Sequence, residues 1–196
     1  MAEESEDILI KGCINWDRQA QSSLYKKYQS KMFAVCYQYS KSREEAEDTF
    51  HEGFMKVFDN IASFAKKGTL EGWIRKIMVN TAIEKYRKGK HLSFIVNMDD
   101  TTEVSDHFFS DDILNRIEAT ELIALIQKLP PAYQMVFNLY VMEGMKHKEI
   151  SASVGISEGT SKSNLYEAKS ILRNLINKNN GRPRAVGSEY GRKQRY

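Results

Sequence analysis

The stretch that decides the fold is EISASVGISEGTSKSNLYEAK, residues 149–169, which has the pattern of two short helices joined at a glycine. Residues Lys148 to Val154 are predicted to form the first helix, which supports the second. Gly155 stands where the turn needs a left-handed backbone conformation. Ile156 can fill the angle between the helices, and Ser157 is a favourable N-cap for the second one. This order predicts a helix-turn-helix, in which the N-terminal residues of the second helix enter the DNA major groove.

The spacing along the second helix separates an inner face from an outer one. At about 100° per residue, four small or apolar residues fall on one side and are expected to pack inward. They are Ser161, Leu165, Ala168 and Leu172. The other side carries short, amide and charged side chains that suit base edges and phosphates. The predicted DNA contacts are Thr160, Lys162, Ser163, Asn164, Tyr166, Glu167 and Lys169. An ordinary amphipathic helix pair with a solvated outer face has the same periodicity.

Outward from this pair, the whole chain has the pattern of an all-α protein. It contains only 3 prolines in 196 residues, and its apolar residues recur three and four positions apart rather than in alternation. Asp17 predicts the N-cap of a long helix that reaches Tyr39. Ser42 and Glu45 form a capping-box pattern that starts a second helix, and a third is expected over about 69–88. The fold class follows from these periodic segments.

The chain is expected to form two small helical domains joined by a flexible acidic linker, with the helix-turn-helix in the second domain. The predicted divisions are a first domain over 1–92, a linker over 93–111, a second domain over 112–178 and a basic, glycine-rich, disordered tail over 179–196. Before the helix-turn-helix, a helix is expected over about 112–128. Another is expected to begin at Pro131, a favourable first helical position, and to run through Val141.

Composition excludes several kinds of site. The chain is 41% hydrophobic with a formal net charge of +3, which is typical of a globular protein. Cys13 and Cys36 have no metal-ligand or disulfide pattern around them, so buried thiols in a reducing compartment are expected and no metal or cofactor is. The acidic N-terminus lacks the pattern of a signal peptide, and no apolar run is long enough for a membrane span. We therefore expect a cytoplasmic protein without membrane insertion.

Catalytic motifs are missing from the sequence as well. It contains no phosphate-binding glycine loop, no H-E-x-x-H and no G-x-S-x-G, and its four histidines lie in unrelated segments. The chain is therefore not expected to be an enzyme or to have a small-molecule substrate.

Longer motifs carry a family resemblance. LPPAYQMVFNLYVMEGMKHKEISASVGISEGTSKSNLYEAKSILRNLI, residues 129–176, resembles region 4 of bacterial RNA polymerase sigma factors along its whole length. AEDTFHEGFMKVF, residues 46–58, is similar to region 2.2, and GWIRKIMVNTAIEKYRK, residues 72–88, to regions 2.3 and 2.4. With so short a linker between them, the two domains have the layout of the extracytoplasmic-function (ECF) group.

The resemblance implies a sigma factor that binds core RNA polymerase and directs it to specific promoters. By family position, the helix-turn-helix recognises the minus-thirty-five element. The N-terminal domain recognises and melts the minus-ten element, where it contacts both duplex DNA and the melted non-template strand. The residues that this implies are Phe64, Lys66, Lys67, Arg75, Lys76, Asn80, Tyr86, Arg87 and Lys88. Aromatic rings beside cations are what the capture of unpaired bases requires. Trp73, near this set, fits either a stacking role or the core.

The same resemblance assigns polymerase docking to Asp48, His51 and Glu52, although His51 stands where the family more often has glutamine. On the recognition helix, Ser161 replaces a common valine, and Glu167 stands near positions where arginine is common. The acidic linker fits either the family's polymerase channel or an ordinary solvated segment. The sequence leaves open whether an anti-sigma factor binds this chain.

Two rival interpretations belong to other classes. A conventional transcription regulator would bind duplex DNA by itself, usually as a dimer, and a helical adaptor would bind no DNA. The region 2 resemblance argues against the regulator, and the helical adaptor stays an alternative.

Overall fold

The structure is a computed structural model that describes residues 6–93 and 119–180, and these residues form helices without any strand. The helices are α1 (Glu6–Ile14), α2 (Arg18–Tyr39), α3 (Arg43–Asn60), α4 (Leu70–Ser93), α5 (Ala119–Ile126), α6 (Pro131–Phe137), α7 (His147–Val154) and α8 (Glu158–Asn180). A 3₁₀ turn (Ile61–Ser63) follows α3, and a π-helical turn (Asn138–Met142) follows α6. The predicted all-α class is confirmed.

Helices α1 to α4 form the N-terminal half, in which α2 packs against α1, α3 and α4. Asp17 caps α2 as predicted, because its Oδ1 accepts a hydrogen bond from the Ala20 backbone N–H at 2.7 Å. One face of α2 is buried along the length of the helix, as its spacing predicts. The buried residues on that face include Leu24, Tyr28, Met32, Val35 and Tyr39.

The start of α3 is a variation on the predicted capping box. Ser42 Oγ accepts a hydrogen bond from the Glu45 N–H at 3.2 Å, as expected. The Glu45 carboxylate, however, accepts from the Lys41 N–H at 2.7 Å, one residue before the N-cap. The inner face of α3 is buried from Ala46 to Val57, while Phe58 is only half-buried.

Helix α4 extends five residues beyond the predicted end at Lys88. Its last residues, GKHLS, contain no proline, and a single glycine lowers helix propensity without ending a helix. The predicted linker over 93–111 and tail over 179–196 lie almost entirely outside the described residues.

The C-terminal half packs α8 against α5, α6 and α7. Pro131 is the first residue of α6, as predicted. The helix expected through Val141 changes its hydrogen-bond pattern at Asn138, where the backbone oxygen accepts from the Glu143 N–H at 3.1 Å across a wider π-helical ring. The part of the expected 112–128 helix that precedes Ala119 lies outside the described residues.

Both cysteines are free and buried in the N-terminal half. Burial raises the pKa of the Cys36 thiol to about 12 and also raises that of Cys13. A thiol with so high a pKa is a poor nucleophile near neutral pH. The two side chains therefore act as small core residues, in agreement with the sequence interpretation.

Candidate nucleic-acid interface

The α7–α8 unit has the geometry of a helix-turn-helix. Gly155 ends α7 with φ of +74° and ψ of +49°, in the left-handed region that favours glycine. Ile156 follows, half-buried between the helices, and its backbone oxygen accepts from Ser151 Oγ at 2.6 Å. Ser157 Oγ then accepts from the Thr160 N–H at 2.9 Å and so caps α8. Each of these roles was predicted from the sequence.

Helix α8 turns the expected face inward. The four residues predicted to pack inward, Ser161, Leu165, Ala168 and Leu172, are all buried. On the outer face, Lys162 and Tyr166 are exposed, with 37% of the tyrosine surface accessible. The remaining predicted contacts, Thr160, Ser163, Asn164, Glu167 and Lys169, are half-buried. The seven predicted residues thus lie on one helix and form the α8 strip, in which two side chains are exposed and five are half-buried.

A polar contact inside the helix-turn-helix was not predicted. Ser161 is fully buried, and its Oγ lies 2.9 Å from His147 Nδ1 at the start of α7. The His147 ring stacks on Tyr140 at 4.7 Å, and Lys169 Nζ lies 5.9 Å from the centre of the same tyrosine ring. Burying a hydroxyl is unfavourable without a partner, so His147 explains how a serine occupies this inner position.

The predicted minus-ten loop is a loop in the structure, over residues 64–69. Lys66 adopts a left-handed backbone conformation with φ of +55°, and its Nζ lies 2.5 Å from Asp7 Oδ1 of α1. Lys67 is exposed. Phe64 packs against Trp73 with ring centres 5.6 Å apart, and both rings are half-buried against the core. Trp73 is therefore in part a core residue, and its stacking role stays a prediction.

A cavity of about 390 Å³ opens beside this loop. Its walls come from α1, α2, the loop and the start of α4, and they include Tyr28, Phe64 and Lys66. Three lysines of the walls are paired with three carboxylates: Lys27 with Glu6, Lys31 with Glu71 and Lys66 with Asp7. The cavity therefore combines aromatic walls with cations that already have anionic partners.

Along α4, the predicted contacts differ in accessibility. Lys76, Asn80, Arg87 and Lys88 are exposed. Tyr86 is half-buried, and burial raises the pKa of its hydroxyl. Arg75 is also half-buried, and it forms an ion pair with Glu143 of the C-terminal half at 2.6 Å. No sequence pattern indicated this partner.

The predicted polymerase-docking residues lie on the outer face of α3. Asp48 and His51 are exposed, whereas Glu52 is half-buried and pairs with Lys56 at 3.0 Å. The hydrogen bond from Lys56 holds the pKa of Glu52 below its usual value. Met55, one turn further along the helix, has 59% of its surface exposed. It adds an apolar side chain to this polar strip, which the sequence interpretation did not include.

The part of the chain that the structure describes holds no cluster of three His, Cys, Asp or Glu side chains placed to bind a metal ion. Among the described helices, none combines the length and apolar character needed to cross a bilayer.

Two family models match the chain in the order of its two halves. The model described as Sigma-70 region 2 matches residues 24–91, and the model described as Sigma-70, region 4 matches residues 119–172. The first match covers most of α2, α3, the loop and most of α4, and the second covers α5 through most of α8. Together the matches account for more than half of the chain.

Two curated proteins that are similar to this chain are named as ECF RNA polymerase sigma factors. The ECF RNA polymerase sigma factor SigE of Mycolicibacterium smegmatis is 25% identical over 170 residues, a match that spans 84% of this chain and 62% of that protein. The ECF RNA polymerase sigma factor SigW of Bacillus subtilis is 27% identical over 176 residues, spanning 85% of this chain and 94% of SigW. Among solved structures, the sigma factor RpoE in complex with the anti-sigma factor NepR from Bartonella quintana aligns with a TM-score of 0.47 and 18% identity, over 80% of this chain and 96% of that one.

Proposed function

Because the chain belongs to the sigma-70 family, in the ECF group with region 2 followed by region 4, we propose that it binds core RNA polymerase and directs it to specific promoters. Sigma factors are transcription initiation factors rather than enzymes, so the chemistry of RNA synthesis belongs to the polymerase. The observation that carries the proposal is that each half presents polar and basic side chains that are exposed or half-buried, one set on α8 and one on the loop and α4.

The α8 strip reads the minus-thirty-five element. Its residues near the helix N-terminus carry hydroxyl and amide groups that can bond to base edges in the major groove. Lys162 and Lys169 contact phosphates and fix the position of the helix without carrying sequence information. Glu167 accepts a hydrogen bond from a cytosine amino group, the base contact that suits a carboxylate.

The loop over 64–69 and α4 contact the minus-ten element. A base taken out of the stack enters the cavity beside the loop, where Phe64 contacts one of its faces. Flipping a base costs a few kcal/mol of unstacking, which stacking in a shaped cavity offsets. Lys66 and Lys67 accompany the strand backbone, while the residues of α4 from Lys76 to Lys88 follow the adjacent duplex.

The outer face of α3 docks on the polymerase through Asp48, His51 and Glu52. The exposed Met55 extends this contact, because an apolar side chain inside a polar strip gains free energy when a partner covers it. We place the protein in the cytoplasm with the polymerase. An anti-sigma factor is a candidate regulator, since the sigma factor RpoE was solved in complex with one.

A transcription experiment tests the proposal. The purified chain is added to core RNA polymerase and a genomic library, and the transcripts are sequenced. We expect start sites that share upstream elements at minus-ten and minus-thirty-five. Transcripts without a shared element, or the same pattern without the chain, would contradict the proposal. A chain that selects a duplex site without polymerase would instead be a conventional regulator.

Two α8 variants separate base reading from phosphate binding. We expect Glu167→Ala to relax base preference at one minus-thirty-five position, by about 1–3 kcal/mol of discrimination. The matched control, Lys162→Ala on the same strip, should weaken use of all promoters about equally, because phosphates are present at every site. The base preference and the overall promoter use of both variants are measured on a library of promoter variants. An unchanged base preference for Glu167→Ala would exclude it from direct readout.

A further inference from the structure

We propose that two residues outside the α8 strip, His147 and Tyr140, determine which bases the strip selects, because they hold α8 at both ends of that strip. The inference rests on the proposed function, in which α8 reads the minus-thirty-five element. It adds two positioning residues, which act through Ser161 and Lys169 without contacting a base themselves.

The first anchor of α8 is the contact between Ser161 and His147. Ser161 lies in the first turn of α8 and is fully buried, and its Oγ is 2.9 Å from His147 Nδ1. Either neutral tautomer of the ring forms this hydrogen bond, with Nδ1 as the donor or as the acceptor. Thr160 and Lys162, two of the proposed DNA contacts, are the sequence neighbours of Ser161. The bond therefore fixes where the start of the α8 strip lies.

His147 is a firm attachment point, because the start of α7 is both capped and packed. The Glu149 carboxylate accepts a hydrogen bond from the Lys146 N–H at 2.7 Å. A helix end whose backbone groups have partners is less prone to fraying. Ile150, three residues after His147, is fully buried and holds α7 on the core. The position of the imidazole is thus set by its own helix before α8 contacts it.

The second anchor joins Lys169 to the same pair of rings. The His147 and Tyr140 rings stack with their centres 4.7 Å apart and an angle of 25° between their planes. Lys169 Nζ lies 5.9 Å from the centre of the Tyr140 ring. At this distance an ammonium group is attracted to an aromatic face. The attraction limits the positions that the Lys169 ammonium takes beside a DNA phosphate.

The Tyr140 ring belongs to the π-helical turn over Asn138–Met142. Asn138 and Leu139 of this turn are fully buried, whereas Tyr140 has 38% of its surface exposed. A π-helical turn is wider than an α-helical one, and such turns are frequent at functional sites. Here the turn places one partly exposed ring beside both His147 and Lys169.

The two anchors enclose most of the α8 strip. Ser161 and Lys169 lie about two helical turns, or 12 Å, apart along α8. Two fixed points on one helix determine its rotation about its own axis as well as its position. A recognition site needs its side chains within about 0.5 Å and 10–20° of the productive geometry. We therefore expect the loss of either anchor to change base selection by the residues between them.

Ser161→Ala tests the first anchor. Alanine fits the space of the buried serine and has the highest helix propensity, so we expect the variant to fold. It lacks the hydroxyl that bonds to His147. Discrimination between bases at the minus-thirty-five positions read by the start of α8 should therefore fall roughly fivefold, the lower end of what one good base contact contributes.

Two substitutions of Tyr140 test the second anchor. Tyr140→Leu removes the ring, and we expect it to lower base discrimination and to weaken use of all promoters by roughly threefold, the factor that matches an exposed cation–π interaction. Tyr140→Phe keeps the ring and should restore both properties to the wild-type values. The matched control is Val141→Ala on the same turn, where the valine is 37% exposed. This control should also match the wild type.

All variants are measured with core RNA polymerase on a promoter library that is randomised at the minus-thirty-five element, and their thermal unfolding is recorded. A merely structural role would lower the use of every promoter without changing base preference. Wild-type base preference in both Ser161→Ala and Tyr140→Leu would therefore overturn the proposal, and so would equal losses in Tyr140→Leu and Tyr140→Phe. If the wild-type chain itself had no base preference at this element, the proposed function of α8 would fail, and this inference with it.

Discussion

Gly155 fixes the angle of the helix-turn-helix with one backbone conformation. Its φ of +74° places it in the left-handed region, where a Cβ atom would crowd the backbone even though no neighbouring group occupies the space. The orientation of α8 therefore depends on a residue outside the set of proposed DNA contacts.

We expect Gly155→Ala to lower the free energy of unfolding by about 1–2 kcal/mol, because alanine is strained in this conformation. The measurement is chemical denaturation followed by circular dichroism. Gly89→Ala in α4 is the control, since no atom lies within 4 Å of its added Cβ and no positive φ is required there. That variant should be unchanged or up to about 1 kcal/mol more stable. Equal free energies of unfolding for the two variants would mean that the left-handed conformation of Gly155 does not require glycine.

Residue-scale prediction from the sequence succeeded where a periodic or capping pattern was present. Asp17, Gly155 and Ser157 were assigned from local rules, and the structure confirms each of them. The Ser161–His147 and Arg75–Glu143 contacts were missed, because each joins residues from different helices. Such partners depend on how helices pack, and no spacing along the chain encodes that.

At the scale of elements, the start of α8 depends on one hydroxyl. Ser157 Oγ accepts from the Thr160 N–H at 2.9 Å and lies 2.9 Å from Thr160 Oγ1. We expect Ser157→Ala to cost about 1 kcal/mol of stability, the usual effect of removing an N-cap. Ser157→Asp keeps an acceptor at the cap and should retain most of the wild-type stability. Thermal unfolding of the three proteins provides the comparison, and equal loss in both variants would contradict a capping role.

The attachment of α1 to α2 should depend on pH. Glu6 accepts hydrogen bonds from the Tyr28 hydroxyl at 2.6 Å and from Lys27 Nζ at 2.9 Å, and these two bonds lower its pKa from 4.5. A carboxylate whose pKa is lower in the folded state than in the unfolded state stabilises the fold at pH values above its unfolded-state pKa. That contribution is lost as the pH falls through the folded-state pKa.

We therefore expect Glu6→Gln to be less stable than the wild type near neutral pH and equal to it well below pH 4.5. The free energy of unfolding at the two pH values tests this expectation. Because 45% of the Glu6 side chain is exposed, water screens the interaction and the difference should be small. A difference that persisted at low pH would assign the effect to packing instead.

The order and inner faces of the main helices were predictable, because periodicity and caps are local properties of the sequence. The exceptions are the π-helical turn over Asn138–Met142 and the extra length of α4. In both, helix propensity leaves open where the regular hydrogen-bond pattern ends.

At the scale of the whole molecule, the two halves should respond separately to core damage. Leu24 and Leu172 are both fully buried, one in each half. We expect Leu172→Ala to cost about 2–5 kcal/mol and to speed hydrogen exchange in α5 to α8, with little change in α1 to α3. Leu24→Ala should show the reverse. Hydrogen exchange with mass spectrometry resolves the two patterns, and faster exchange throughout after either substitution would mean that the chain unfolds as one unit.

The Arg75–Glu143 pair also links the position of the two halves to ionic strength. Both side chains are partly exposed, so dissolved salt screens the attraction between them. Salt also screens phosphate contacts and weakens DNA binding, normally as a straight line on logarithmic axes. Concentrated buffer should therefore weaken the contact between the halves as well as the proposed contacts with DNA.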